Sequence, residues 1–152
     1  MRRELFDDVV IEASPAAVWS ALTNLAGWSA WNPVYTQIEG ELETACHLDA
    51  TLALPARRAR RVAPEVMRVL PEQELSWIMR VLVPGLLDCE HRFMLESVSG
   101  GETGAEHTRV VQRVRISGIL LPFLWRRLRQ AVAQGLQRSN RGLREVVLER
   151  TA

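Results

Sequence analysis

The 152-residue chain has no lysine, only two cysteines and no apolar run long enough to cross a bilayer. All 19 basic residues are arginine and 18 acidic residues balance them, leaving a formal charge of +1. So small a charge provides no whole-molecule field favouring nucleic acid or an anionic surface. Cys46 and Cys89 stand alone without CxxC spacing, so they read as reduced, partly buried thiols; neither a metal site nor a redox motif is expected. The longest apolar run near either end, Ile119 to Trp125, is far below bilayer length. The opening Met1-Arg2-Arg3-Glu4 leads into a stretch broken by Asp7 and Asp8, unlike a secretory signal, and a cytoplasmic location is the default expectation. No GxSxG elbow, GxGxxG turn or HExxH spacing is present.

What is present is a 47% apolar chain, long enough to bury one core and without repeat, linker or low-complexity tract. A single domain over residues 1–152 is expected. Leu5 to Glu12 reads as a strand. Ser14-Pro15 then announces a helix, serine capping free amides and proline suiting the first helical position. Trp28 to Asn32 predicts one more helical turn, stopped at Pro33.

Beyond Pro33 the apolar period falls to two. Strands are predicted at Val34 to Ile38, Cys46 to Leu54, Glu65 to Leu70, Leu75 to Val83, Cys89 to Glu96 and Thr108 to Ile116. Pro55 to Arg61 reads as a basic hairpin connection, and Ser99 to Gly104 as a loose glycine-rich tip. From Leu120 to Glu149 the pattern is helical, with Leu124, Leu128, Val132, Leu136, Leu143 and Val147 as its apolar stripe. Gly135 and Gly142 weaken that helix by ~1 kcal/mol each, or allow another group to approach closely. The fold class expected is therefore α+β: a six- to seven-stranded antiparallel sheet curled around a long C-terminal helix, with two short helices after the first strand.

Three segments carry a resemblance: Ile11 to Trp19; Trp28 to Pro33 with Ile38-Glu39-Gly40; and Leu75-Ser76-Trp77 with His91 to Glu96, Thr108, Gly118 and the long helix. In that order they resemble the SRPBCC, or START-like, helix-grip superfamily and its polyketide cyclase/dehydrase-like branch. One departure is Thr44-Ala45-Cys46, where many of that superfamily carry a glycine. The resemblance implies a cavity between sheet and helix that binds a small hydrophobic molecule: a lipid, polyketide or aromatic compound. No cofactor, metal, nucleic acid or membrane-spanning segment is implied. The protein is expected as monomer or homodimer.

The expected cavity wall comprises Leu52, Leu54, Trp77, Met79, Phe93, Leu95, Val110, Leu124 and Leu128, with Trp28 and Trp31 at its mouth or wall; ordinary core is the alternative for all three tryptophans. His91 and Gln112 are the polar groups predicted inward, able to orient a ligand or satisfy core partners. A cyclase or dehydratase with His91 as proton carrier is the enzymatic alternative. A protein-interaction module with a filled interior and an exposed apolar patch near Leu82 to Leu87 is a third. The run Arg57 to Arg61 reads as a solvated hairpin, or as a site for phosphate, acidic lipid headgroups or nucleic acid, although no stacking aromatics accompany it.

Overall fold

The computed structural model describes residues 1–100 and 104–151. Strand β1 (Arg2–Ile11) leads to α1 (Pro15–Thr23), a 3-10 turn (Leu25–Gly27) and α2 (Trp28–Trp31). Ser14 caps α1 as expected, its Oγ accepting from the Ala17 amide at 3.2 Å. Asn32 ends α2 in an extended conformation. Its Oδ1 accepts the amides of Val34 and Tyr35, which aims the chain into the next strand.

Strands β2 (Tyr35–Glu39), β3 (Asp49–Leu52), β4 (Arg60–Val62), β5 (Glu65–Leu70), β6 (Glu74–Arg80), β7 (Asp88–Ser99) and β8 (Glu106–Ser117) follow, and α3 (Leu121–Thr151) closes the fold. Pairing is antiparallel throughout. Five strands run in the order β1-β8-β7-β6-β5, and three in the order β2-β3-β4.

The expected six or seven strands become eight because the basic connection contributes β4. Yet β4 and β5 are one line of chain broken at Pro64, which has no amide to give the ladder. Both parts face the same neighbour: β4 pairs with β3, while Leu48 donates to the Pro64 carbonyl and Val66 exchanges bonds with Ala45 and Cys46. These bonds join the two sheets into one curled surface of seven strand positions. Register shifts at Tyr35/Gln37 and Val66/Arg68 add to its bend. At Thr44-Ala45-Cys46 the backbone takes the conformation a glycine would favour: Ala45 has a φ of 71°.

The glycine-rich tip falls partly on residues 101–103, outside the described residues. Arg109, Arg113 and Arg115 line the outer face of the sheet, where Arg109 pairs with Asp8 and Glu96 and Arg115 with Glu4. Helix α3 packs most closely along β1 and α1 and meets β8 less closely. Its buried face carries Leu121, Ala131, Val132, Gly135, Leu136, Ser139, Asn140, Leu143 and Val147.

Candidate functional site

The concave face of the sheet and the buried face of α3 enclose two unlike halves. In one, Trp28 sits at the centre of an aromatic cluster, with ring centroids 5.0 Å from Trp31, 5.6 Å from both Trp77 and Phe93, and 5.8 Å from Tyr35. Trp28, Trp77 and Phe93 are completely buried. In the other half, Val114, Ile116, Leu121, Val132 and Leu136 form a smaller aliphatic cluster. Between them lies a pocket of about 50 Å³ lined by Val34, Tyr35, Leu52, Leu54, Met79, Cys89, His91, Gln112, Val114, Val132, Gly135, Leu136 and Ser139.

Five expected site residues therefore meet at the pocket: Leu52, Leu54, Met79, His91 and Gln112. The other eight do not. Trp28, Trp31, Trp77 and Phe93 fill the aromatic half as core. Leu95 and Val110, which face each other across β7 and β8, are buried in the same larger cluster. Leu124 and Leu128 are half-exposed because steps of four residues overshoot a helical turn by about 40° each. The inward face at Val132 recurs instead at Trp125 and Leu121, each within about 20° of it.

A chain of hydrogen bonds crosses the interior behind the pocket. The Trp77 indole donates to the Tyr35 hydroxyl (3.1 Å), which contacts His91 Nδ1 (3.1 Å), while His91 Nε2 contacts Gln112 Oε1 (2.9 Å). Gln112 Nε2 donates to Ser139 Oγ (3.1 Å) and Asn140 Oδ1 (2.7 Å). Asn140 Nδ2 then donates to the Asp7 carbonyl and carboxylate (3.1 and 2.9 Å).

The last acceptor fixes every direction. A carboxylate only accepts, so the Asn140 amide must donate to it, which orients Gln112 and leaves its oxygen facing His91. His91 thus carries its proton on Nε2, and Nδ1 accepts from Tyr35. Burial pushes the histidine down to about 4, with the Gln112 bond opposing, so the ring is neutral near pH 7. Burial likewise raises the Tyr35 hydroxyl, and it pushes the Cys89 thiol up to about 12. Both ring nitrogens of His91 are engaged, and the ring stacks on Phe93 with centroids 4.4 Å apart. Chemically, the arrangement presents an apolar cleft with a neutral polar corner.

Tyr35, Ser139, Asn140 and Asp7 were missed as polar partners. Three had legible signals. Ser139 and Asn140 interrupt the buried stripe between Leu136 and Leu143, and Asp7 shares inward parity with Leu5, Val9 and Ile11. His47 is on the surface, its side chain 3.9 Å from Glu65. Glu41, Glu43 and the half-buried Cys46 bring three potential ligand atoms within 4.8 Å of one another, and none of them lines this pocket.

Residues 4–148 match the family model described as polyketide cyclase / dehydrase and lipid transport. The chain belongs to that family. The curled sheet around α3 is the helix-grip fold of the START-like superfamily, as the three sequence segments implied. The aromatase/cyclase ZhuI from Streptomyces sp. R1128 aligns over 100% of this chain and 97% of its own, with a TM-score of 0.79 and 12% identity. A START superfamily protein from Mycobacterium smegmatis aligns over 96% of this chain and 97% of its own, with a TM-score of 0.73 and 13% identity. Protein MLL2253 from Mesorhizobium loti covers 99% of both chains, with a TM-score of 0.69 and 20% identity. At these identities the structures share the family's fold. A search of curated proteins finds no relative of the chain. Among the described residues, no helix is long and apolar enough to cross a membrane.

Proposed function

We propose that this family member binds a small, mostly apolar molecule in the pocket between the sheet and α3. The observation that carries the reading is the composition of that pocket: apolar side chains of β3, β6, β8 and α3, with Val34 and Leu54 beside them, surround a gap, and His91, Gln112 and Ser139 are grouped at one corner. Affinity for an apolar guest comes from its buried surface, at roughly 25 cal/mol per Å² before binding costs. The polar corner orients it. A volume of about 50 Å³ holds little more than one or two water-sized groups. A lipid- or polyketide-sized guest therefore enters by displacing the half-buried Leu52 and Leu54, and binding is coupled to that opening.

Binding without turnover is favoured over cyclase or dehydratase chemistry because the proton carrier is committed. With Nδ1 accepting from Tyr35 and Nε2 donating to Gln112, His91 has no free lone pair for a substrate proton. His91 is thus a positioning group in this reading, as is Gln112.

Native mass spectrometry of protein purified from its own host, followed by organic extraction, tests the proposal. The expected result is a co-purifying lipophile. An apolar dye should bind the wild type, be displaced by the extract, and fail to bind Gly135→Leu, whose side chain fills the gap. Repeated recovery of empty protein that binds no dye would overturn the reading.

A further inference from the structure

Phe6, Val10 and Leu70 are exposed singly, but the three most exposed apolar side chains share one end of the molecule. Leu82 (85% exposed) and Val83 lie in the β6–β7 connection, while Ile119 (71%) and Phe123 (80%) lie at the start of α3. Two backbone bonds hold these segments side by side: Ile119 N to Gly85 O and Leu120 N to Leu86 O, both 3.1 Å. The Met1 carbonyl, bonded to the Gly118 amide, adds the half-exposed Met1 side chain to the same end. Leu82 also has a φ of 66°, a conformation that a leucine rarely adopts. An exposed leucine held in a strained backbone is a doubly unfavourable arrangement for water alone.

Positive charge flanks this apolar tip. Arg126 and Arg127 follow Phe123 by three and four residues, which places them beside it on one side of α3. Arg127 shares a groove with Arg57 of the 53–59 segment, together with Pro55, Ala56, Gln130 and Gln134. Neither residues 53–64 nor residues 107–144 include an acidic side chain. The acidic neighbour on the tip itself, Asp88, is turned onto the Gly85 amide. Arg57, Arg126 and Arg127 enter no ion pair among the described residues. The chain's near-zero net charge thus hides a local cationic collar.

We propose that this end of the molecule docks on an anionic membrane surface, with Leu82, Val83, Ile119 and Phe123 entering the interface and Arg57, Arg126 and Arg127 meeting the lipid phosphates. Protruding apolar residues with arginines beside them match an interfacial layer that is fluid, apolar within and negative outside. A second copy of the chain fits less well. A two-fold contact through the tip would set each arginine collar against its own duplicate. The inference stands on the surface alone and does not require the pocket to hold a guest.

The test is flotation with phosphatidylcholine vesicles, with and without about a third phosphatidylglycerol. The wild type should associate with the anionic vesicles at least about tenfold more than with the neutral ones. Leu82→Asp with Phe123→Asp should remove that association. Arg126→Gln with Arg127→Gln should weaken it by about fivefold per charge. All four substitutions are at exposed positions, so circular dichroism and Tm should match the wild type. If the aspartate variant does not fold, the glutamine variant carries the test. No association with anionic vesicles, equal association with neutral ones, or association indifferent to either pair of substitutions would overturn the proposal. So would a wild-type dimer in analytical ultracentrifugation that the aspartates dissolve, which would assign the tip to a second copy.

Discussion

The two halves of the grip are built from the same sheet and the same helix, yet one is filled and the other is not. Around Trp28 the gap between sheet and helix is occupied by rings from α2, β2, β6 and β7. Around Leu136 the facing groups are mostly aliphatic side chains and Gly135, with the polar corner to one side, and space remains. The difference teaches that a curled sheet supplies the standoff, and side-chain volume decides where it becomes a pocket. The hydrogen-bonded chain from Trp77 to Asp7 runs along the boundary, so it supports one half and gives the other its polar corner.

The largest effect should come from emptying the filled half. Trp28→Ala removes a fully buried ring in contact with four others and orphans the Leu22 carbonyl that its Nε1 binds. A loss of ~4 kcal/mol is expected in urea denaturation. A loss below ~2 kcal/mol would mean that this half is as loosely packed as the pocket, and the comparison would fail.

The boundary should respond to acid. A buried neutral histidine is depressed from about 6.5 to about 4, so its contribution is fully present above pH 6.5 and is lost as the pH falls towards 4. Relative to His91→Gln, the wild type should lose ~3 kcal/mol between pH 7 and pH 4. Parallel pH profiles for the two proteins would place His91 in water rather than in the buried chain.

Much of this architecture was legible in the sequence because it rests on periodicity. Alternation in β7 and β8 places His91 and Gln112 inward, and the Ser14-Pro15 pair starts α1. What was not legible was how far the space extends, which is a matter of volume. Trp77 and Phe93 have the inward parity of wall residues and are wall-like in type, but the ring of Trp28, arriving from a helix far away in sequence, turns them into core. Leu124 and Leu128 failed for a different reason, the angular drift of a stripe read in steps of four. Tyr35 reads only as a strand residue, and no local pattern tells that its hydroxyl joins Trp77 to His91.

Two glycines in α3 set the halves against each other directly. At Gly142 an added Cβ would lie 2.1 Å from the Trp31 carbonyl oxygen, a backbone atom fixed by the end of α2. Helix α3 and α2 would have to separate, so Gly142→Ala should destabilise by ~2 kcal/mol despite the gain in helix propensity. A Tm at or above the wild-type value would show that α2 yields easily.

The smallest effect is expected seven residues earlier. At Gly135 an added Cβ would meet Val34 Cγ2 at 3.0 Å and Leu54 Cδ2 at 3.5 Å, both ends of side chains on the pocket wall. Those ends can retreat into the free volume by the few tenths of an ångström required. Against that adjustment stands a helix gain of ~1 kcal/mol, so Gly135→Ala should leave stability within ~1 kcal/mol of the wild type. The same methyl group reduces the pocket, so dye affinity should fall even where the Tm does not. If Gly135→Ala instead destabilises as much as Gly142→Ala, the wall around Leu54 is as rigid as the aromatic half, and no guest larger than the resting gap can enter there.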